Sequence, residues 1–319
     1  MTRSPHPARH PLRIAVAGAL LTGGVLVSLA AAPADASPAH PSADASSVSA
    51  PTVVSVPSAQ AAAALAHWTP ARKAAAIAAS DGTVPPPAAA PEAASAAAAP
   101  ISVAEHVAPV PHIGRFFYDR DGHSYSCSAN VVQSGNRSTV ATAAHCLTGG
   151  GAFSTNAVFT PDYDNGTSPY GDWPMVTGVI AGGYFADNGD IADDSAFLVV
   201  AHDAAGRDIQ SVVGGSPVLF DQPLVQPGTV YGYPAQGRFD GLTLQRCRGT
   251  FHAFSTQQIV LDCDMREGVS GGPIFEGDDA SGPQYADENA RVTAEPKVLG
   301  PIWLANEHAA YDTAAAYTG

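Results

Sequence analysis

From residue 112 onward the sequence breaks into short β-branched and aromatic runs separated by clusters of Gly, Pro, Asn and Asp. Candidate strands are 128–133, 138–144, 157–160, 176–181, 196–200, 218–220, 229–232, 249–255, 258–262, 273–275 and 297–304. Asn165-Gly166 is a hairpin-type dipeptide, and 119–122 reads as a turn between the first strands. Almost no segment keeps a helical apolar period; alanine-rich 306–317 reads as a closing helix, and a short helix fits 71–79. Regular short strands with few helices predict an all-β sandwich or barrel. The 208 residues of 112–319 suffice for two small barrels.

The amino-terminal third is built differently. Arg3, Arg9 and Arg13 precede an uncharged apolar or small stretch, 14–32, and then Ala34-Asp35-Ala36. A positive start, an apolar middle and a small-x-small site predict a secretory signal peptide over 1–36. The stretch is just long enough for a membrane anchor, but Gly18, Gly23, Gly24, Ser28 and the cleavage pattern argue against one. Residues 37–111 are mostly Ala, Pro, Ser and Val, with Trp68 the sole aromatic, so little core is expected there. They read as a low-complexity pro-segment or tether.

Charge narrows the partners. Acids and bases balance within 1–111, so the net charge of −14 resides in 112–319, which holds 24 acidic and 10 basic residues. Such a body repels phosphate backbones, which excludes nucleic acid as a partner. The cysteines are Cys127, Cys146, Cys247 and Cys263. An even count in an exported chain implies disulfides; four cysteines allow three pairings, and local pairing, Cys127 with Cys146 and Cys247 with Cys263, is the simplest. No C-x-x-C spacing appears, and the H-x-x-x-H at 6–10 falls in the signal stretch, so no metal is expected. Asp162-Tyr163-Asp164-Asn165-Gly166 has its glycine one place early for a calcium loop and reads as an acidic hairpin.

Three short motifs carry chemistry. Thr142-Ala143-Ala144-His145-Cys146 places a histidine at the end of an apolar run, beside a cysteine that a bridge would tie down. Asp194-Ser195-Ala196-Phe197-Leu198-Val199-Val200 places an acid at the start of a buried-looking strand, where it needs a partner such as His145. Gly268-Val269-Ser270-Gly271-Gly272-Pro273 flanks a serine with glycines, which permit φ > 0 and let successive N–H groups face one cavity.

Together these motifs resemble those of the chymotrypsin-like (trypsin-fold) serine peptidases. The order His145, Asp194, Ser270 is that family's order, and the resemblance covers about 112–319. Tyr231-Gly232-Tyr233-Pro234 is similar to a segment of the bacterial, glutamyl-endopeptidase-like branch. The resemblance implies two six-stranded antiparallel barrels, about 112–215 and 216–319, with a short C-terminal helix. It implies a secreted serine endopeptidase acting extracellularly on polypeptide substrates, as a monomer, without cofactor, and free of the membrane once the signal is cut.

The implied roles are Ser270 as nucleophile, His145 as base, Asp194 as its orienting acid, and the Gly268 and Ser270 N–H groups as oxyanion hole. The Cys127–Cys146 bridge corresponds to the one beside the catalytic histidine. Asp190 and Asp193 compete for the acid's role, but the unbroken apolar run after Ser195 favours Asp194. Asp264, six residues before Ser270, stands where trypsin-like members hold an acid for basic side chains. Val269 replaces the aspartate with which digestive members capture a freed amino terminus, so a zymogen here cannot use that salt bridge. Residues 276–297, rich in acids, read as an insert looping near the cleft. Two alternatives stay open. One is a catalytically silent relative used for binding. The other is an α/β-hydrolase-type esterase, whose G-x-S-x-G pattern 268–272 satisfies.

Overall fold

Why 196–200 is apolar at every position becomes clear from its surroundings. The computed structural model describes residues 48–79, 102–185, 190–292 and 295–319. The signal-peptide reading of 1–36 lies outside the described residues, as do 37–47 and 80–101 of the low-complexity stretch.

The first described elements are β1 (Thr52–Ser55), α1 (Ser58–His67), α2 (Pro70–Ala79) and the short β2 (Glu105–His106). The first barrel comprises β3 (Ile113–Arg120), β4 (His123–Val131), β5 (Thr139–Thr142), β8 (Thr155–Pro161), β9 (Trp173–Ile180) and β10 (Ala196–Val200). Between β5 and β8 lie the single turn α3 (Ala144–Leu147) and a small hairpin, β6 (Thr148–Gly149) with β7 (Ala152–Phe153). The strands run β9-β10-β5-β4-β3-β8, and β8 returns to β9, closing six antiparallel strands into a barrel. Asp121 and Gly122 both take positive φ between Arg120 and its partner His123, the tight turn expected at 119–122.

In β10 the alternation is concealed because both faces are covered. Ala196, Leu198 and Val200 point into the barrel with Phe116, Val131, Val140 and Phe159. Phe197 and Val199 point outward, under Trp303, Ala310 and Ala314 of the chain's last part. A strand buried on both faces reads as an unbroken apolar run.

After α4 (Ile209–Val213) come β11 (Gln226–Gly232), β12 (Gln245–Ala253), β13 (Gln258–Asp262), β14 (Pro273–Glu276), β15 (Gln284–Asp287), β16 (Ala290–Arg291) and β17 (Lys297–Pro301). They form a curled sheet in the order β15-β14-β11-β12-β13-β17-β16, around Val230, Phe251, Ile259, Ile274 and Val298. The second unit is thus curled as a half-barrel, and with the closed first barrel it gives the two-barrel fold expected. The run at 218–220 makes only an isolated bridge, Val218 with Gln284. The supposed insert 276–297 contributes two short strands: β15 pairs with β14 and β16 with β17. Its acids misled because two of them, Asp287 and Glu288, are buried. The helix α5 (Ala305–Ala315) closes the fold. Every named strand pairing is antiparallel, so the described residues hold no doubly wound sheet of the kind the esterase alternative requires.

Residues 48–79 carry more structure than their composition suggests. β1 pairs with β9, and Trp68, Ala76 and Ile77 are buried against residues of both sheets, among them Phe117, Val158, Tyr233 and Leu244. Alanine-rich helices cannot build a core alone; here they borrow one. The sheets are also joined by Arg115, fully buried on β3, whose Nη1 donates to the carbonyls of Gly241 at 2.6 Å and Tyr233 at 3.2 Å. Both expected local cysteine pairs are bridged, Cys127 with Cys146 and Cys247 with Cys263.

Candidate active site

Strand register brings the histidine and the acid together. Ala196 of β10 lies opposite Thr142 of β5, so the residues before β10 meet those after β5. Ala143 is still extended, and the chain then turns into α3, which carries His145. Its backbone N–H donates to Asp194 Oδ1 and its Nδ1 to Asp194 Oδ2, each at 2.8 Å. A carboxylate only accepts, so Nδ1 carries a proton, and in the neutral ring Nε2 has the free lone pair. Asp194 is buried, while a quarter of the His145 side chain (24%) remains exposed. Arg120 Nη1 braces the turn by donating to the His145 carbonyl at 2.8 Å. The two competing acids are occupied elsewhere. Asp190 caps the following turn by accepting from Ala192 N, and Asp193 accepts from Asn306 Nδ2.

The serine loop is stitched to both sheets. Ser128 of β4 donates from its N–H to the Ser270 carbonyl at 2.7 Å and from Oγ to the Gly268 carbonyl at 2.9 Å. Gly271 N donates to Glu288 O at 2.6 Å, and Glu288 N to Gly272 O at 2.8 Å. Gly268 and Gly271 take φ of 95° and 78°. A Cβ on Gly271 would sit 2.0 Å from Thr142 Oγ1 and 2.3 Å from Ser128 O, so the loop packs on the very segment that leads into α3. The Cys146 sulfur lies 4.0 Å from the Ser270 carbonyl oxygen. Thus the histidine turn and the serine loop are neighbours, although Ser270 Oγ makes no hydrogen bond with His145 Nε2 in this structure. Among the described residues, no hydrogen bond uses the N–H of Gly268 or Ser270. Two free N–H groups on one strained loop can receive a negative oxygen.

Sequence reasoning missed the residues behind the site. Ser195 Oγ donates to Asp287 Oδ1, and Trp303 Nε1 donates to the same oxygen at 2.9 Å. Asp287 and Glu288 are fully buried near Asp194. Burial first, and then the neighbouring carboxylate charges, push both well above the usual range. Neither acid sits in a motif, so nothing in the sequence marked them.

Asp264 occupies a different setting from the one expected. Ala104 N donates to its Oδ1 at 2.7 Å, and Arg238 Nε to its Oδ2 at 2.8 Å. Partial burial opposes its ionisation, yet the guanidinium and the N–H hold it below the usual range. A carboxylate already matched by an internal arginine is not a free receptor for a basic side chain. The tightest metal-like cluster among the described residues, Cys127, His145 and Cys146, has both sulfurs committed to a disulfide.

No protein-family model and no curated protein matches the chain. Solved structures do. A protease from Arthrobacter nicotinovorans, Anisep, is 36% identical with a TM-score of 0.64, the match covering 67% of this chain and 100% of that one. The thermostable serine protease AL20 from an extremophilic microorganism is 37% identical, TM-score 0.62, over 65% and 98%. A Glu endopeptidase crystallised with MPD shares the fold at 19% identity, TM-score 0.55, over 67% and 97%.

Proposed function

The chain belongs to the bacterial chymotrypsin-like serine proteases, and we propose that it is a secreted endopeptidase working through Ser270, His145 and Asp194. Ser270 Oγ attacks the scissile carbonyl carbon, forming a C–O bond while the carbonyl electrons move onto oxygen. His145 Nε2 takes the hydroxyl proton. The N–H groups of Gly268 and Ser270 receive the oxyanion. The C–N bond then breaks, and His145 returns the proton to the leaving amine. Water, deprotonated by the same nitrogen, frees the acyl group from Ser270. Asp194 holds the ring in the tautomer this requires and stabilises the imidazolium.

The reading rests chiefly on the paired 2.8 Å contacts that commit His145 N and Nδ1 to Asp194 and leave Nε2 available. Two disulfides suit an oxidising compartment, and with the amino-terminal signal pattern they support an extracellular monomer acting on polypeptides. No described helix is long and apolar enough to cross a membrane. Residues 37–111 serve as a pro-segment, and maturation cuts the chain within it. With Val269 before the nucleophile, activation proceeds without an aspartate–amino-terminus salt bridge.

The test is labelling of the purified protein by a fluorophosphonate, alongside casein digestion, for the parent and Ser270→Ala. Labelling and digestion by the parent alone are expected. An unlabelled, inactive parent would instead identify a silent relative that binds without cutting.

A further inference from the structure

The match with the Arthrobacter protease spans all of that chain but only 67% of this one, so about a third of this protein has no counterpart there. Residues 48–79 precede every motif that resembles that family, yet they are built into the fold. On β9, the return strand β8 pairs only at Trp173 and Pro174. β1 pairs with the next stretch, Thr177 to Ile180, and Val56 N donates to Val176 O at 2.9 Å. This segment therefore covers a strand edge that β8 leaves.

Anchoring is specific. Trp68 is buried, its ring 5.4 Å from that of Phe117, and its Nε1 donates to Asn156 O. Lys73 Nζ, also buried, meets the Asp172 carboxylate and donates to Thr160 Oγ1 at 3.2 Å. His67 Nε2 lies 2.7 Å from Asp119 Oδ2. Ile77 packs so closely on Gly241 that a Cβ there would come within 2.6 Å of Ile77 Cγ2.

The segment also reaches the loop before the catalytic acid. Ser49 N donates to Asn306 Oδ1 at 2.9 Å, and Asn306 Nδ2 donates to Asp193 Oδ1 at 2.8 Å. A Cβ on Gly182 would lie 2.1 Å from Ser49 O. Yet no described residue of 48–79 hydrogen-bonds, pairs or stacks with His145, Asp194 or Ser270.

We propose that residues 48–79 form a strap that the working enzyme keeps. After the chain is cut between strap and barrels, the peptide stays docked across both sheets and steadies the 190–194 loop; it does not block the cleft. The loss of activity expected on its removal rests on the protease reading above, but its retention does not.

The test inserts a recognition sequence for a specific protease between Ala88 and Ala89 of the full chain, in the Ser270→Ala background. After cutting, the 48–79 peptide should co-elute with the barrels in gel filtration. Trp68→Ala should weaken its hold by more than about a hundredfold and lower the unfolding midpoint by roughly 6–12 °C. Lys73→Met, a milder change, should shift both in the same direction. With Ser270 restored, release of the strap should lower the rate of casein cleavage. Release without a change in midpoint would overturn the proposal, and so would a rise in activity on release, which marks an inhibitor. A strap retained in a parent that fluorophosphonate never labels would sink the protease reading and leave the strap standing.

Discussion

Replacing Asp194 with Asn probes the ring's orientation. The carboxylate presents two acceptors, Oδ1 to the His145 backbone N–H and Oδ2 to Nδ1–H, each at 2.8 Å. An amide presents one acceptor and two donors. If its oxygen stays on the backbone N–H, its NH₂ faces Nδ1, which must then accept. The ring proton moves to Nε2, and that nitrogen can no longer take a proton from Ser270. The flipped amide sets donor against donor in a site where the acid is only 1% exposed. The expected loss in kcat is about 10⁴, equivalent to about 5.5 kcal/mol at about 1.36 kcal/mol per decade. Stability should hardly suffer, because removing the Asp194 charge also removes a source of repulsion at buried Asp287 and Glu288. Steady-state kcat on a chromogenic peptide, with an unfolding midpoint as control, measures both. An Asn variant with parental stability and a kcat within tenfold of the parent would refute the tautomer argument.

Gly271→Ala must place a methyl 2.0 Å from Thr142 Oγ1 at φ of 78°, so it should cost more than about 3 kcal/mol in urea unfolding and abolish fluorophosphonate labelling. Removing the Cys127–Cys146 bridge by double serine substitution opens a loop with a sequence separation of 19; a loss of about 3 kcal/mol is expected, together with slower labelling, since His145 adjoins Cys146. Burial, reinforced by the Asp193 charge, raises Glu307 from 4.5 to about 8. Above about pH 4.5 the unfolded chain gives up a proton that the folded chain holds until about pH 8, so this group costs stability as pH rises through that window. Glu307→Gln keeps an acceptor for Leu304 N and removes the penalty. Its midpoint should gain on the parent between about pH 5 and pH 8, and parallel curves would contradict the assignment.

What could be read in advance depended on whether the backbone's demands left a residue-level trace. Gly268 and Gly271 stand at positive φ because the serine loop requires it, and the requirement is visible as G-V-S-G-G. The β10 strand was legible because two covered faces leave no polar position. Trp68 and Ile77 were opaque for the opposite reason. Their partners, Phe117 and Tyr233, lie far along the chain, and alanine helices give no amphipathic signal of what they will meet. Asp287 and Glu288 were misread because acids ordinarily indicate solvent, whereas here Ser195, Trp303 and the serine loop's backbone hold them inside. The Arg238–Asp264 pair was hidden because spacing along the chain says nothing about which cation will arrive.

The helix α5 comes more than a hundred residues after β10 and yet lies on it, with Tyr311 OH donating to Gln133 O at 2.7 Å and Asn136 N donating to Ala315 O at 3.1 Å. On the ribosome, β9 and β10 therefore emerge with Val179, Phe197 and Val199 uncovered, and nothing made up to that point can sheathe them. Ser270 also follows β10, so the histidine turn and the serine loop become neighbours only when synthesis is nearly over.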